Sequence, residues 1–192
     1  IKTVNFFYRG SHSDRDLNVD VDYAKAMREA FERLQKSGKH RPIFIGGLVR
    51  GLLFNHTRVQ AFCELSKEFG WYRGEDNIFA GDYPREKYQQ FGYRCTKQVL
   101  ENGYPFDSVF CLTDTVAVGV LRALHEARKR IPEDVAVIGC DNMYDSLMTY
   151  PALTSIDNGV ERVCTEYIRF LVSDKTSADL NIEAALVCRE TL

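Results

Sequence analysis

Apolar positions along the chain fall into two alternating spacings. Short unbroken apolar runs recur at residues 3–8 (TVNFFY), 42–45 (PIFI), 77–80, 110–112, 135–138 and 184–188, and runs of this length bounded by Gly, Pro or Asp read as buried strands. Between them, apolar residues recur every three to four positions, as on one face of a helix. Residues 22–37 carry Tyr23, Ala26, Met27, Ala30, Phe31 and Leu34 on one stripe, with Asp22 placed to cap the start and Gly38 to end it. Residues 58–70 carry Val59, Phe62, Cys63 and Phe69, and residues 85–101 carry Tyr88, Gly92, Cys95 and Val99. A further helix is predicted from Val116 to Ala127, and the last from 159 to 172, with Val160, Val163, Cys164, Tyr167, Ile168 and Leu171 on one side. Polar stretches at 10–16 and 175–179, and the segment 49–57 with its Leu52-Leu53-Phe54 patch, read as loops, and Val19 and Val21 as a short extended link. Strands alternating with helices predict a right-handed, mostly parallel sheet covered on both faces, a three-layer α/β/α arrangement.

The strands near 112 and 140 end in Thr113-Asp114 and Gly139-Cys140-Asp141. Ligands of parallel sheets sit outside the carboxyl ends of the strands, so Asp114 and Asp141 belong at the mouth of a site. Composition narrows what that site does. The 192 residues are 45% hydrophobic, enough for a real core, and the net charge of −2 gives no basic footprint for gripping nucleic acid. No apolar run approaches the roughly 18 residues of a membrane span, and no leader-like segment opens the sequence. The six cysteines form no C-x-x-C pair and the four histidines show no ligand spacing, so neither a metal nor a cofactor is expected. The cysteines fall on apolar strands and helix faces, as buried thiols of a reducing cytoplasm would.

Residues 112–156 carry a longer signature. Leu112-Thr113-Asp114, the Ala/Leu-rich helix to Ala127, the run RIPEDVAVIGCDN from Arg130 to Asn142, and PALTSI from Pro151 to Ile156 follow one another in order. This resembles the effector domain of LacI/GalR-type bacterial transcription regulators, and the likeness extends to the 38–47 loop and strand, the helix start at Arg58, and Arg189-Glu190. The resemblance implies a type I periplasmic-binding-protein-like fold: two lobes joined by three chain crossings, near 19–22, 155–158 and 176–179. Residues 22–155 would form most of the C-terminal lobe, with 177–192 supplying its final strand region. Residues 1–21 would be a remnant of the N-terminal lobe, and 156–176 a crossing segment and helix of that lobe. Such regulators begin with a helix-turn-helix headpiece and the first half of that lobe, so the resemblance marks this sequence as N-terminally truncated. The helix at 159–172 is then expected to expose part of its apolar stripe.

The resemblance also nominates site residues. Asp141 matches an acid that contacts effector, and its carboxylate can accept from vicinal hydroxyls or the N–H groups of a base; otherwise it caps the next turn. Arg58 matches an arginine that reaches the cleft, where its planar fork makes paired hydrogen bonds; otherwise it is a surface arginine. Tyr83 matches a pocket aromatic suited to a sugar face or a nucleobase, or is a core-edge tyrosine. Thr113 stands where relatives have Asn, Asn158 matches a cleft-crossing amide, and Asp114 is read as a helix N-cap. Tyr8-Arg9 replaces an acid followed by arginine, and Leu53-Phe54-Asn55 lines the cleft or forms an ordinary loop. Val116, Val120, Leu147, Met148 and Tyr150 fall where family dimers meet. The implied function is a cytoplasmic, homodimeric domain that binds a small effector, a sugar or nucleobase-like metabolite. It would couple that binding to operator DNA affinity through the headpiece. The alternative is a periplasmic sugar-binding protein of an uptake system. An enzyme using Asp114 and Asp141 to hold magnesium lacks a nucleophile–base pair, a phosphate-binding loop and a metal cluster, so no catalysis is expected.

Overall fold

The computed structural model describes residues 3–6, 16–54, 56–82 and 85–192. Tyr83, the pair Tyr8-Arg9 and Asn55 lie outside the described residues. The chain builds two sheets. The larger runs β4 (Ile78–Phe79), β3 (Pro42–Ile45), β5 (Ser108–Cys111), β6 (Ala136–Cys140), β7 (Thr154–Asp157) and β9 (Ala185–Val187), parallel except for the antiparallel edge pair β7–β9. The smaller places β2 (Leu17–Asp22) between β1 (Val4–Phe6) and β8 (Ala178–Glu183), all parallel. This is the α/β arrangement with parallel sheets that the sequence implies.

Side-chain alternation on the large sheet feeds two cores. Phe44, Phe110, Ala136, Ile138 and Cys140 face one side, against α1 (Ala24–Lys36) and α3 (Thr57–Glu68). Phe31 is fully buried there and stacks on Trp71, with Phe62, Phe69 and Phe110 around it. Ile43, Ile45, Val109, Cys111 and Val137 face the other side, against α4 (Tyr88–Glu101) and α5 (Asp114–Glu126). Among the described residues, no helix is long and apolar enough to cross a membrane.

Several expectations change. The link around Val19 and Val21 is a six-residue strand in the middle of the small sheet, its acids alternating with buried apolar residues. The span 177–192 does not belong to one sheet: β8 completes the small sheet, and one residue later β9 edges the large one. The polar loop at 175–179 leads directly into β8, whose alternating burial suits a sheet with one face open to water. Residues 50–54 form a short helix, α2 (Arg50–Phe54), anchored by buried Leu53. Cys164 and Cys188 are exposed rather than buried.

On α7 (Val160–Val172), Val163 and Phe170 are buried, while Val160, Ile168, Leu171 and Val172 are exposed. Val116 and Val120, expected at a subunit interface, are fully buried inside one chain. They face α4 because α5 turns its apolar stripe inward, so they present no side chain to a partner. Leu147, Met148 and Tyr150, on and just after α6 (Asp145–Met148), are exposed, Tyr150 by 87%, and Met143 and Tyr144 extend the same apolar patch.

Candidate functional site

Five chain segments meet at the carboxyl ends of the large sheet. Arg58 sits in the first turn of α3, only 4% exposed. His56 caps that turn by accepting from the Arg58 backbone N–H, which sets the direction in which the arginine leaves the helix. Among the partners of the guanidinium are Tyr23, Leu112 and Asp141. Its Nε donates to Tyr23 Oη at 3.1 Å, and the ring of Tyr23 lies beneath it, 5.3 Å from Cζ to centroid. One terminal nitrogen donates to the Leu112 carbonyl at the end of β5, and the other to Asp141 Oδ1 at 2.6 Å. Asn158, the crossing residue between β7 and α7, donates Nδ2 to the same Asp141 oxygen at 2.9 Å. Its own Oδ1 is buried without a hydrogen-bond partner. Burial raises the Asp141 carboxyl above its usual value, and Arg58 offsets only part of this.

A second network holds Asp141 in position. Asp141 and Asn142 have φ of 105° and 51°, the left-handed region where residues with a Cβ are strained. Asp114 bridges the strain: its Oδ1 accepts from Ser155 Oγ at 2.6 Å and its Oδ2 from the Met143 N–H at 2.7 Å. Asn142 donates to Asp157 at 3.1 Å and accepts from Arg189, which also donates to the Leu153 carbonyl. Gly139 is required here, because a Cβ at that position would fall 2.2 Å from Asp114 Oδ1. Asp114 is thus a buried brace in the first turn of α5; the N-cap is Thr113, whose hydroxyl accepts from the Val116 N–H at 3.2 Å. Asp114 and Asp141 each have protein partners, and among the described residues no group of three His, Cys, Asp or Glu could hold a metal.

Of the residues nominated from sequence, Arg58, Asp141 and Asn158 come together in one bonded cluster. Thr113 directly follows Leu112, beside the cluster, with its hydroxyl engaged by its own helix. Tyr23, Ser155 and Arg189 are the parts that sequence reading did not assign to the site, while Asp114, expected at its mouth, braces it from within. Tyr23 reads as one more apolar residue on a helical stripe, and only its buried hydroxyl sets it apart. Among the described residues, two hollows lie away from this cluster, one of about 360 Å³ beside α7 and one of about 430 Å³ lined by His125, Arg130 and Tyr150. A small one of about 40 Å³ adjoins Tyr23 and Thr57.

Two buried groups of this region titrate in opposite senses. Burial raises Asp114 to about 6, so it adds stability that is full below its unfolded value of about 4 and is lost as pH rises through 6. Burial, helped by Arg58, lowers His56 to about 4, so its contribution is lost as pH falls from about 6.5 towards 4. The two oppose each other between pH 4 and 6. Asp114→Asn should therefore lose more melting temperature on acidification from pH 7 to pH 5 than the parent does. An equal loss in both proteins would remove Asp114 from this balance.

The two sheets of mainly parallel strands agree with the comparisons. The periplasmic binding protein-like domain matches residues 31–191. The chain belongs to this family, as the effector-binding domain of a LacI-type transcription regulator. It is 28% identical over 178 residues to the transcriptional regulator CelR of Thermobifida fusca, covering 90% of this chain and 51% of that protein. It is 34% identical over 127 residues to the repressor PurR of Photorhabdus laumondii, covering 65% of this chain and 35% of that protein. A solved CelR–cellobiose complex superimposes with a TM-score of 0.79 at 27% identity, covering 95% of this chain and 56% of that one. The chain therefore spans about half the length, or less, of the curated relatives compared. Both relatives are transcriptional regulators of the helix-turn-helix type.

Proposed function

We propose that this LacI-type domain takes a sugar or related metabolite at Arg58, Asp141 and Asn158, and that binding changes how the small sheet sits against the large one. The observation that carries this reading is the Arg58–Asp141 pair, bonded at 2.6 Å at the strand ends and tied to chain crossings on both sides. Tyr23 follows the crossing out of β2, and Asn158 follows the crossing out of β7. A ligand that draws Asp141 or Arg58 towards itself weakens or strengthens those ties. It shifts the equilibrium between lobe arrangements only by its differential affinity for them. A coupling of about 1–3 kcal/mol is typical of such devices. In the whole regulator, operator DNA would feel that shift through a helix-turn-helix headpiece. The exposed apolar patch from Met143 to Tyr150 is the surface we assign to homodimer formation, and the cytoplasm is the compartment this function requires. The relatives being regulators favours this reading over an uptake protein.

The test is a thermal-shift screen of neutral sugars, phosphorylated sugars and nucleobases. A compound that binds only the folded state raises the melting temperature. Arg58→Gln and Asp141→Asn are expected to abolish that rise. A compound whose effect survives both substitutions binds somewhere else.

A further inference from the structure

The hollow of about 40 Å³ lies where α3 meets the crossing out of β2. Thr57, Gln60 and Glu64 line it from α3, at the i, i+3 and i+7 spacing of one helix face, and Asp22, Tyr23 and Ala24 line it from the crossing. It has room for one water or one ion, not for a sugar. Thr57 is 9% exposed, and its hydroxyl is enclosed with no hydrogen-bond partner among the described residues. A buried hydroxyl in that state is costly until something reaches it.

The charge around this hydroxyl is negative and unbalanced. Asp22 spends Oδ1 on the Ala24 N–H at 2.8 Å, and its Oδ2 has no partner among the described residues. Glu64 has no hydrogen bond or ion pair among them either. Among the described residues, no lysine, arginine or histidine lines the hollow. The next turn along the same seam is balanced, because Arg28 meets Glu68 there at 2.5 Å. One turn back from Arg28 stands Ala24, one turn back from Glu68 stands Glu64, and both line the hollow. The seam between α1 and α3 therefore repeats the acid without repeating the base. Lys25, beside Ala24 in sequence, is engaged by Glu183.

We infer that this hollow is a site for a divalent cation of the calcium type, held by the carboxylates of Asp22 and Glu64, the Thr57 hydroxyl and the Gln60 amide oxygen. All four donors are hard oxygens and two are charged, which suits calcium and its irregular oxygen coordination. Magnesium demands a stricter octahedron and gives up its water reluctantly. With two acids and two neutral oxygens, the donor set is distinct from the groups of three His, Cys, Asp or Glu that the described residues lack. The amino end of α3 opposes a cation, so both carboxylates are required and binding is weak. An ion here ties the crossing at Asp22 to the helix that carries Arg58, next to Tyr23, whose hydroxyl accepts from Arg58 at 3.1 Å. It touches neither Asp141 nor Asn158, and the inference does not rest on the metabolite proposed above.

The experiment strips the whole chain of metal with a chelator, removes the chelator, and titrates calcium, magnesium and potassium chlorides at constant ionic strength while the melting temperature is read. Calcium should raise it with a midpoint of about 0.1–1 mM, magnesium should do so less, and potassium not at all. Glu64→Gln, at an exposed position, should abolish the rise, and Glu68→Gln, one turn along, should keep it. Terbium, which takes calcium sites, should show luminescence excited through tyrosine in the parent and lose it in Glu64→Gln. Without metal, Thr57→Val should be at least as stable as the parent, because it removes an unpartnered hydroxyl, and its response to calcium should weaken. A parent whose melting temperature ignores calcium overturns the inference, and so does a calcium response that survives Glu64→Gln. Both readings concern the parent and an exposed substitution, so the outcome does not hang on how well Thr57→Val folds.

Discussion

Asp141→Ala should destabilise the chain by about 3 kcal/mol, and Arg58→Met together with Asp141→Leu should cost less than that single change. Removing one partner of a fully buried ion pair costs roughly 3–5 kcal/mol, because the survivor is left charged and away from water. Arg58 is in that position: it is 4% exposed, and its guanidinium does not release its proton. Without Asp141 it keeps Tyr23 and the Leu112 carbonyl, both neutral, and loses the anionic partner bonded to it at 2.6 Å. The lower end of the range applies because Asp141 lies partly open, so water can take the place of its carboxylate. The strain of a φ of 105° is already present with aspartate and stays with alanine or leucine, so it does not separate the variants. Replacing both charges with apolar side chains removes the isolated cation and leaves a packing defect. Urea denaturation of the parent, the two single variants and the double variant forms a thermodynamic cycle. If the double change costs as much as the two single changes added together, the pair contributes no coupling and the electrostatic account of the cluster fails.

Gly119→Ala should cost about 3 kcal/mol, although it adds a single methyl group to a helix. Helices α4 and α5 meet through two glycines. A Cβ on Gly119 would fall 2.1 Å from the Gln89 carbonyl oxygen and 2.7 Å from the Tyr93 nitrogen. A Cβ on Gly92 would fall 2.3 Å from the Val116 carbonyl oxygen. These neighbours are backbone atoms, so no side chain can rotate away. The helices must separate by about 1 Å, and the buried contacts of Val116, Val120, Cys95 and Val99 loosen with them. The gain in helix propensity from Gly to Ala, about 1 kcal/mol, is too small to compensate. Gly92→Ala and Gly119→Ala combined should cost less than their sum, since one separation relieves both clashes. Gly51→Ala is the control: nothing lies within 4 Å of a Cβ there, and stability should rise slightly or stay level. A Gly119→Ala protein as stable as the Gly51→Ala control in calorimetry would show that the two helices slide freely.

Much of this molecule is legible in one dimension, for an identifiable reason. The strands at 42–45, 108–111 and 136–140 lie in the middle of a sheet covered on both faces, so nearly every residue in them is apolar and the run stands out. The helical stripes of α1 and α4 stand out equally because each buries one face, and α7 carries the same periodicity although most of its stripe is exposed. The small sheet is harder to read. In β2 and β8 apolar residues alternate with Asp, Asn and Glu, and such segments look like linkers until a neighbour pairs with them. The valines of α5 show the complementary failure. Val116 and Val120 are apolar whether they face a partner subunit or their own core, and only the close contact through Gly92 and Gly119 selects the core.

The candidate site divides along the same line. Arg58, Asp141 and Asn158 are visible because they stand at strand ends, helix starts and family-like motifs. Tyr23 and Ser155 are not, because a tyrosine on an apolar stripe and a serine in a strand carry no local sign of a buried hydrogen bond. The sequence alone determined the kinds of elements, their order, and which acids end strands, since periodicity and punctuation are local properties of a chain. It could not determine that residues as distant as Tyr23, Arg58, Leu112, Asp141 and Asn158 share one cluster. That follows from the strand order β4-β3-β5-β6-β7-β9, which sets neighbouring carboxyl ends side by side, and from the crossings that bring β2 and α7 to them. Strand order is fixed by pairing across space, to which the spacing of apolar residues along the chain is blind.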